Sequence, residues 1–284
     1  YNLEGGCYAK VIRLSEEGEP DIWRAVHRLN GRGEDPWHVV LENVVLDEDH
    51  VPLFDDGRLT ENTRATFPLR AIGNYEPSGL APHPRNVVML TCDMFGVLPP
   101  IARLTPEQAI YHFLSGYTAK VAGTVAGLGN DPVAAFSTCY GADFMPRHPT
   151  VYADMLVSRI LKHGVDCWLV NTGWTGGPYG TGKRIALPVT RAIVRSALSG
   201  ALNIVPCEEH YGAFRLRVPS ICPGVSGMDD HMLTPHTAWR GRDVGMKEFE
   251  ETEARLAAMF RQNFEQYRAR ASVEVRAYAD SIGS

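Results

Sequence analysis

The residues best suited to do chemistry stand in one glycine-rich stretch, from Cys167 to Thr190. Gly177 to Lys183 have the spacing G-x-x-x-x-G-K, which is typical of a loop that holds nucleotide phosphates with backbone N–H groups. The next residue is Arg184, whereas that motif requires a Ser or Thr hydroxyl for Mg²⁺ at this position. The stretch therefore indicates contact with a nucleotide, although one essential part of a phosphate loop is missing.

Five further features are candidate ligand contacts, and each has a simpler structural alternative. Arg184 offers a planar guanidinium for an anion or a base, or it is half of an exposed basic pair. Thr190 either faces a ligand or packs in the first turn of a helix. Arg64, in an Asn-Thr-Arg segment, is a clamp for phosphate or carboxylate, or an ordinary surface arginine. Glu19 accepts ribose hydroxyls or is merely exposed, and Gly5 permits a close backbone approach or makes a simple turn.

Composition excludes several classes of function. The net charge of −5 leaves no electrostatic footprint for nucleic acid or an anionic membrane, and no run of about 18 apolar residues predicts a membrane span. The six cysteines include no C-x-x-C pair, which predicts reduced thiols in a cytoplasmic protein rather than disulfides or a zinc site. The first residues lack a signal peptide and an initiator Met, so we expect a piece of a longer chain.

The elements that must position these residues predict an α/β fold, a mixed β-sheet with flanking helices, in a single domain over residues 1–284. Strands are predicted over 7–14, 39–46, 86–92 and 167–170, with 86–92 in the middle of the sheet because its apolar run lacks alternation. An edge strand is expected around 214–218. Helices are predicted over 21–28, 149–163, 187–198 and 246–267, and another begins at the capping box of Thr105. Residues 122–130 suggest a mobile lid, and the tail beyond 267 gives no strong signal.

Six motifs in chain order resemble those of the ATP-dependent phosphoenolpyruvate carboxykinases. They cover residues 4–10 (E-G-G-C-Y-A-K), 41–44 (L-E-N-V), 60–64 (T-E-N-T-R), 93–100 (D-x-F-G-V-L-P-P), 111–120 (Y-H-F-L-S-G-Y-T-A-K) and 169–184 (L-V-N-T-G-W-T-G-G-P-Y-G-T-G-K-R). The resemblance runs from residue 1 to about residue 270. It implies the C-terminal, nucleotide-binding domain of the carboxykinase fold.

The same resemblance implies an activity: conversion of oxaloacetate and ATP to phosphoenolpyruvate, ADP and CO₂ in gluconeogenesis, with Mn²⁺ and Mg²⁺. Residue by residue, Arg64 matches the arginine that contacts the phosphate of ATP and the substrate region. Glu19 and Thr190 match nucleotide contacts, and Arg184 with Ile185 matches the pair on the adenine side. Gly5 matches a glycine of an activating Ca²⁺ site described for some members.

The chain also departs from the family pattern. In the family the phosphate loop, the metal ligands (a lysine, a histidine and an aspartate) and the carboxylate-binding arginine precede the E-G-G motif, so these 284 residues alone are expected to be inactive without that N-terminal portion. Val125 stands where the lid usually has Glu, and Asp143 stands where Pro is common. Two alternatives stay open: a kinase that uses Gly177 to Lys183 as its phosphate loop, and a nonenzymatic nucleotide-binding remnant.

Overall fold

The computed structural model describes residues 6–27, 38–120, 131–209, 212–225, 230–240 and 246–283. Contacts divide the chain into two compact units, one made of residues 1–82 with 121–131 and the other of 83–120 with 132–284. The expectation of a single domain over 1–284 stays a prediction. The predicted lid at 122–130, Gly5 and Val125 all lie outside the described residues.

The first unit is built on a three-stranded antiparallel sheet in the order β1–β5–β2. Its elements are β1 (Gly6–Lys10), α1 (Pro20–His27), β2 (Val40–Glu42), a hairpin of β3 (Val45–Leu46) and β4 (Pro52–Leu53), and β5 (Arg64–Pro68). Alternation along β5 buries Ala65 and Phe67 in a core with Val26 of α1, and leaves Arg64 on the opposite face.

Both strands predicted in this unit are shorter than expected, because the backbone leaves extended geometry. The strand predicted over 7–14 ends at Lys10, and a turn with Arg13 at φ 56° follows. The strand predicted over 39–46 is divided by Asn43 at φ 59°. A left-handed residue cannot continue a β-ladder, so each run is interrupted there.

The second unit contains a five-stranded mixed sheet in the order β13–β14–β7–β10–β6, which confirms the predicted fold class. Strand β10 runs parallel to β6 and antiparallel to β7. The strands are β6 (Asn86–Thr91), β7 (Ile101–Leu104), β10 (Asp166–Asn171), β13 (Cys207–Glu209) and β14 (Arg217–Pro219), and β8 (Tyr117–Lys120) pairs separately with β9 (Val133–Phe136).

Helices pack on both faces of this sheet. They are α2 (Pro106–Ser115), α3 (Pro149–His163), α4 (Leu187–Leu198), α5 (Asp230–Leu233), α6 (Pro235–Arg240), α7 (Met246–Arg268) and α8 (Val273–Ser281). Alternate residues of β10 serve two cores: Leu169 packs in the cluster that includes α2 and α7, and Trp168 packs in the cluster that includes α4. Residues Cys167 to Val170 of β10 are therefore all apolar, because both faces of the strand are covered there.

The capping chemistry at the helix ends is as predicted. Thr105 accepts a hydrogen bond from the Gln108 amide while the Gln108 side chain accepts one from the Thr105 amide, a complete capping box. Gly164 closes α3 in the left-handed conformation, at φ 60°. None of the described helices combines the length and apolar character needed to cross a bilayer. All six cysteines are free thiols.

Two expectations in this unit were wrong, and one helix had no strong signal in the sequence. Among the described strands, β6 lies at the edge of the sheet with β10 as its partner, and its Leu90 is 53% exposed. The strand predicted at the edge is β14, which lies inside because β13 pairs outside it. The tail forms α8, whose N-cap Ser272 accepts a hydrogen bond from the Val275 amide and whose buried Val275 and Ala279 anchor it.

Glu253 of α7 gives this unit a pH-dependent stability. Burial is the main cause that raises the pKa of its carboxyl from 4.5 to about 7; the hydrogen bond from the Ala213 amide acts against this shift, and the nearby Glu250 adds to it. The folded protein binds a proton here that the unfolded chain releases, so stability is lost as the pH rises from 4.5 through 7. Glu253→Gln should therefore raise the free energy of unfolding at pH 8 by on the order of 2 kcal/mol, as measured by urea denaturation.

Below pH 4.5 the carboxyl is protonated in both states, and the variant and the parent protein should then be about equally stable. Glu248→Gln, an exposed change on the same helix, is the matched control and should show no such pH dependence. A stability difference at Glu253 that does not change with pH would contradict the assignment.

Candidate functional site

The glycine-rich segment forms a β-hairpin, not a phosphate loop. Strand β11 (Trp174–Thr175) pairs antiparallel with β12 (Lys183–Arg184), and the glycines form the connection between them. A phosphate loop instead runs from a strand directly into the N-terminus of a helix. Helix α4 begins at Leu187, beyond the second strand of the hairpin. The G-x-x-x-x-G-K spacing therefore does not indicate a phosphate loop between a strand and a helix in this chain.

Backbone amides in this hairpin are already engaged within the protein. The Tyr179 amide donates to the Met94 carbonyl at 2.8 Å, and the amides of Thr181 and Gly182 donate to the Pro178 carbonyl at 3.1 and 2.6 Å. A phosphate loop works because its amides are free to donate to the ligand. The engagement of these three argues against the alternative of a kinase that uses this segment as its phosphate loop.

The three candidates in this region meet where the hairpin joins α4, but only Arg184 is exposed. Its guanidinium lies 5.4 Å from the Trp174 ring centroid, and its Nε donates to the Thr172 carbonyl at 3.3 Å. Ile185 is buried in the core under α4, and Thr190 is buried in the first turn of that helix. Packing of Thr190 in the first turn, the simpler of its two interpretations, fits this burial.

A buried carboxylate, that of Asp93, fixes the loop to which the hairpin is attached. Asp93, in the loop after β6, accepts the amides of Phe95, Val97 and Leu98 at 2.7–2.9 Å and the Tyr117 hydroxyl at 3.0 Å. Burial raises the pKa of Asp93, and these hydrogen bonds act in the opposite direction. All four partners are donors, so the arrangement suits an ionised carboxylate.

Asn171, the last residue of β10, ties the loop after β6 to the start of the hairpin. Its Oδ1 accepts the amides of Asp93 and Gly173 at 3.0 and 2.8 Å, and its Nδ2 donates to the Leu98 carbonyl at 3.0 Å. The backbones then approach so closely that a Cβ on Gly173 would collide with the backbone of Asp93. The start of the hairpin that carries Arg184 is therefore held by close contact between the backbones of Gly173 and Asp93.

Arg64 belongs to the other unit, where side chains hold it on the exposed face of the three-stranded sheet. Its Nε donates to Asn62 Oδ1 at 3.1 Å and its Nη1 donates to the Tyr8 hydroxyl at 2.8 Å. The guanidinium carbon lies 4.9 Å from the centroid of the Tyr8 ring, and that hydroxyl in turn donates to Glu42. A lone surface arginine has no such set of partners, so the clamp interpretation of Arg64 is favoured.

Lys10 lies directly across from Arg64 on the neighbouring strand, while Glu42 lies across from it on the other side. Like charges placed directly opposite one another in a sheet are destabilising unless something offsets them. The Glu42 carboxylate lies in the same row and offsets part of this positive charge. Lys10, Tyr8, Glu42 and Asn62 were not predicted as site residues. Alternation along β1 groups Tyr8 with Lys10, but only the register of the sheet brings them to Arg64.

The remaining candidates contribute less to this geometry. Glu19 is half-buried just before α1, and its carbonyl accepts the Trp23 amide at 2.8 Å. Gly5 lies outside the described residues, so the structure gives no geometry for the Ca²⁺ site. Among the described residues no three His, Cys, Asp or Glu side chains come together as a metal-ion site. The described residues therefore do not fit the Mn²⁺ or Mg²⁺ that the family resemblance implies.

Comparison with known proteins supplies the remaining observation. The family model described as phosphoenolpyruvate carboxykinase matches residues 1–228. Phosphoenolpyruvate carboxykinase (ATP) of Bradyrhizobium sp. (strain BTAi1) is 52% identical over 285 residues, which cover 99% of this chain and 50% of the relative. The proteins of the same name from Nitrobacter winogradskyi and Geotalea uraniireducens are 53% and 50% identical, over 97% of this chain and 48% and 49% of theirs. The chain thus spans about half the length of the curated relatives that it matches.

Asp93→Asn tests the support beneath the hairpin. Asn has one acceptor oxygen, so whichever way its amide is turned, an NH₂ group faces backbone amides that now donate to the carboxylate. We expect the free energy of unfolding to fall by about 2–4 kcal/mol in urea denaturation. Asp143→Asn, at an exposed position, is the control and should change it little. Equal stability of Asp93→Asn and the parent would show that the carboxyl is held in its protonated form.

Proposed function

Because the chain belongs to the family of ATP-dependent phosphoenolpyruvate carboxykinases, we propose that it is the nucleotide-side, C-terminal half of such an enzyme. The whole protein would convert oxaloacetate and ATP to phosphoenolpyruvate, ADP and CO₂, in gluconeogenesis and with Mn²⁺ and Mg²⁺. The free state of the six cysteines supports a cytoplasmic location. The observation that carries the proposal is the pairing of Arg64 with Lys10 on an exposed sheet face beside Tyr8 and Glu42.

The proposed reaction explains why such a face is needed. Loss of CO₂ from oxaloacetate breaks a carbon–carbon bond and leaves the electron pair as an enolate. The enolate oxygen then attacks the γ-phosphorus of ATP, and the bond from that phosphorus to the β-phosphate oxygen breaks to release ADP. Negative charge is thus present on the enolate, the transferring phosphoryl group and the leaving oxygen together. Fixed cations directed at this charge stabilise the transition state more than the separated reactants.

We propose nucleotide contacts for the residues of each unit separately. Arg64 would contact the phosphate and the substrate, with Lys10 adding positive charge on the same face. Arg184 would lie on the adenine side, where its stacking on Trp174 holds the guanidinium plane. Ile185 is buried, so its contact would come from the backbone, and we keep Glu19 and Thr190 as proposed nucleotide contacts.

Arg64→Ala in the full-length protein tests this function. We expect kcat/KM for ATP-dependent decarboxylation of oxaloacetate, assayed with Mn²⁺, to fall by about 10²–10³-fold, because a fixed cation at the reacting groups is lost. Arg58→Ala is the control, since Arg58 is an exposed arginine in the same unit whose partner is Asp56. An unchanged kcat/KM in Arg64→Ala would refute the role of Arg64. A parent protein that binds ATP without decarboxylating oxaloacetate would favour a nonenzymatic nucleotide-binding remnant.

A pair of neighbouring variants tests which end of the nucleotide the hairpin contacts. Lys183→Ala should leave the affinity of the full-length protein for ATP within about twofold, because the hairpin does not have the geometry of a phosphate loop. Arg184→Ala should weaken it by about tenfold through loss of a charged, stacked contact. Isothermal titration calorimetry measures both affinities. Loss of ATP binding in Lys183→Ala alone would mean that the hairpin does hold phosphates.

A further inference from the structure

Side chains from three strands are linked by hydrogen bonds across the exposed sheet face of the first unit. Arg64 lies on the central strand β5, with Tyr8 on β1 and Glu42 on β2. Glu42 is directly opposite Arg64, while Tyr8 is two residues from Lys10, the residue opposite Arg64 on the other side. A diagonal neighbour of this kind is within reach of an aromatic side chain. The Tyr8 ring therefore reaches over the guanidinium and places its hydroxyl beside the Glu42 carboxylate.

The hydrogen bonds give this arrangement a direction. A phenol has one hydrogen to donate, and Tyr8 donates it to Glu42. The hydroxyl oxygen is then left to accept from Arg64 Nη1, at 2.8 Å. If the acceptor on Glu42 were absent, the phenol would be free to rotate its hydrogen toward other acceptors. Glu42 thus acts on Arg64 through Tyr8.

The same contacts leave most of the guanidinium available. Arg64 has five N–H donors, of which one on Nε goes to Asn62 and one on Nη1 goes to Tyr8. No other hydrogen bond or ion pair of the Arg64 side chain is present among the described residues. An arginine that is anchored at two donors and open at the rest is preorganised to bind an anion in a fixed orientation.

From this geometry we propose that Tyr8 and Glu42 are positioning residues for Arg64, acting as a relay in which the carboxylate orients the phenol and the phenol orients the guanidinium. The inference rests on the proposed function, because it names what orients the cation at the reacting groups. A displacement of about 1 Å at such a group is enough to slow a reaction strongly. The relay is also placed where such displacement is otherwise easy, since Tyr8 is 52% exposed.

The test is a double-mutant cycle in the full-length protein, read as kcat and KM for oxaloacetate with saturating ATP and Mn²⁺. Tyr8→Phe keeps the ring but removes the acceptor, and we expect kcat/KM to fall about tenfold with a clear rise in KM. Glu42→Ala should match it. The double variant Tyr8→Phe/Glu42→Ala should lose no more than Tyr8→Phe alone, because both changes break one relay. Glu42→Gln keeps an oxygen for the Tyr8 hydroxyl and should stay within about threefold of the parent.

Matched controls separate positioning from damage to the fold. Tyr75→Phe and Glu48→Ala remove the same groups from exposed positions of the same unit and should leave kcat and KM unchanged. A smaller fraction of folded protein would lower kcat without moving KM, so the rise in KM is the signature of positioning. Additive losses, about a hundredfold in the double variant, would mean that Glu42 acts on Arg64 directly and would overturn the relay.

The outcomes also separate the relay from the reaction. An unaffected Tyr8→Phe in an active protein would overturn the relay alone. An inactive parent protein would overturn the proposed function and, with it, any role of the relay in catalysis.

Discussion

The carboxylate of Asp93 is the interaction on which the second unit depends. Strands β6 and β10 are the parallel pair of the described five-stranded sheet. Their carboxyl ends therefore lie at the same end of the sheet, where the chain must turn after each of them. Asp93 binds three amides of the turn after β6, and Asn171 binds the amides of Asp93 and Gly173. Such loops would otherwise contain buried N–H groups without acceptors, which are costly. Two polar side chains therefore fix both turns.

The position of the hairpin follows from that constraint. Because the Trp174 amide donates to the Asp93 carbonyl and the Tyr179 amide donates to the Met94 carbonyl, the hairpin is attached to the loop after β6 at its first strand and at the middle of its connection. The Ile185 amide then donates to the Gly173 carbonyl, which sets where α4 begins. Arg184 lies between the attachment at Tyr179 and the one at Ile185. Its orientation is thus determined by backbone contacts, and its own side chain needs only the Trp174 ring and the Thr172 carbonyl.

Local chemistry was predictable from the sequence, and long-range pairing was not. Helix α2 was located by its capping box and α4 by its spacing, since both signals lie within a few residues. The prediction that β6 lies in the middle of the sheet was wrong. An apolar run indicates that the two faces of a strand are covered, whereas its place at the edge depends on which strands hydrogen-bond to it. The glycine spacing failed for the same reason: it fixes which backbone angles are possible, but Asp93 and Met94, far away in sequence, decide what the loop encloses.

The set of side chains around Arg64 could not be predicted from the sequence alone. The motifs around Tyr8, Glu42 and Arg64 are separate in sequence and meet only through the register of β1, β5 and β2. A one-residue slip in either pairing would turn a partner to the buried face. The buried Ala65 and Phe67 resist such a slip, so the apolar side of the sheet determines the geometry of its charged side. Core packing therefore keeps Lys10, Arg64 and Glu42 in register across the exposed face.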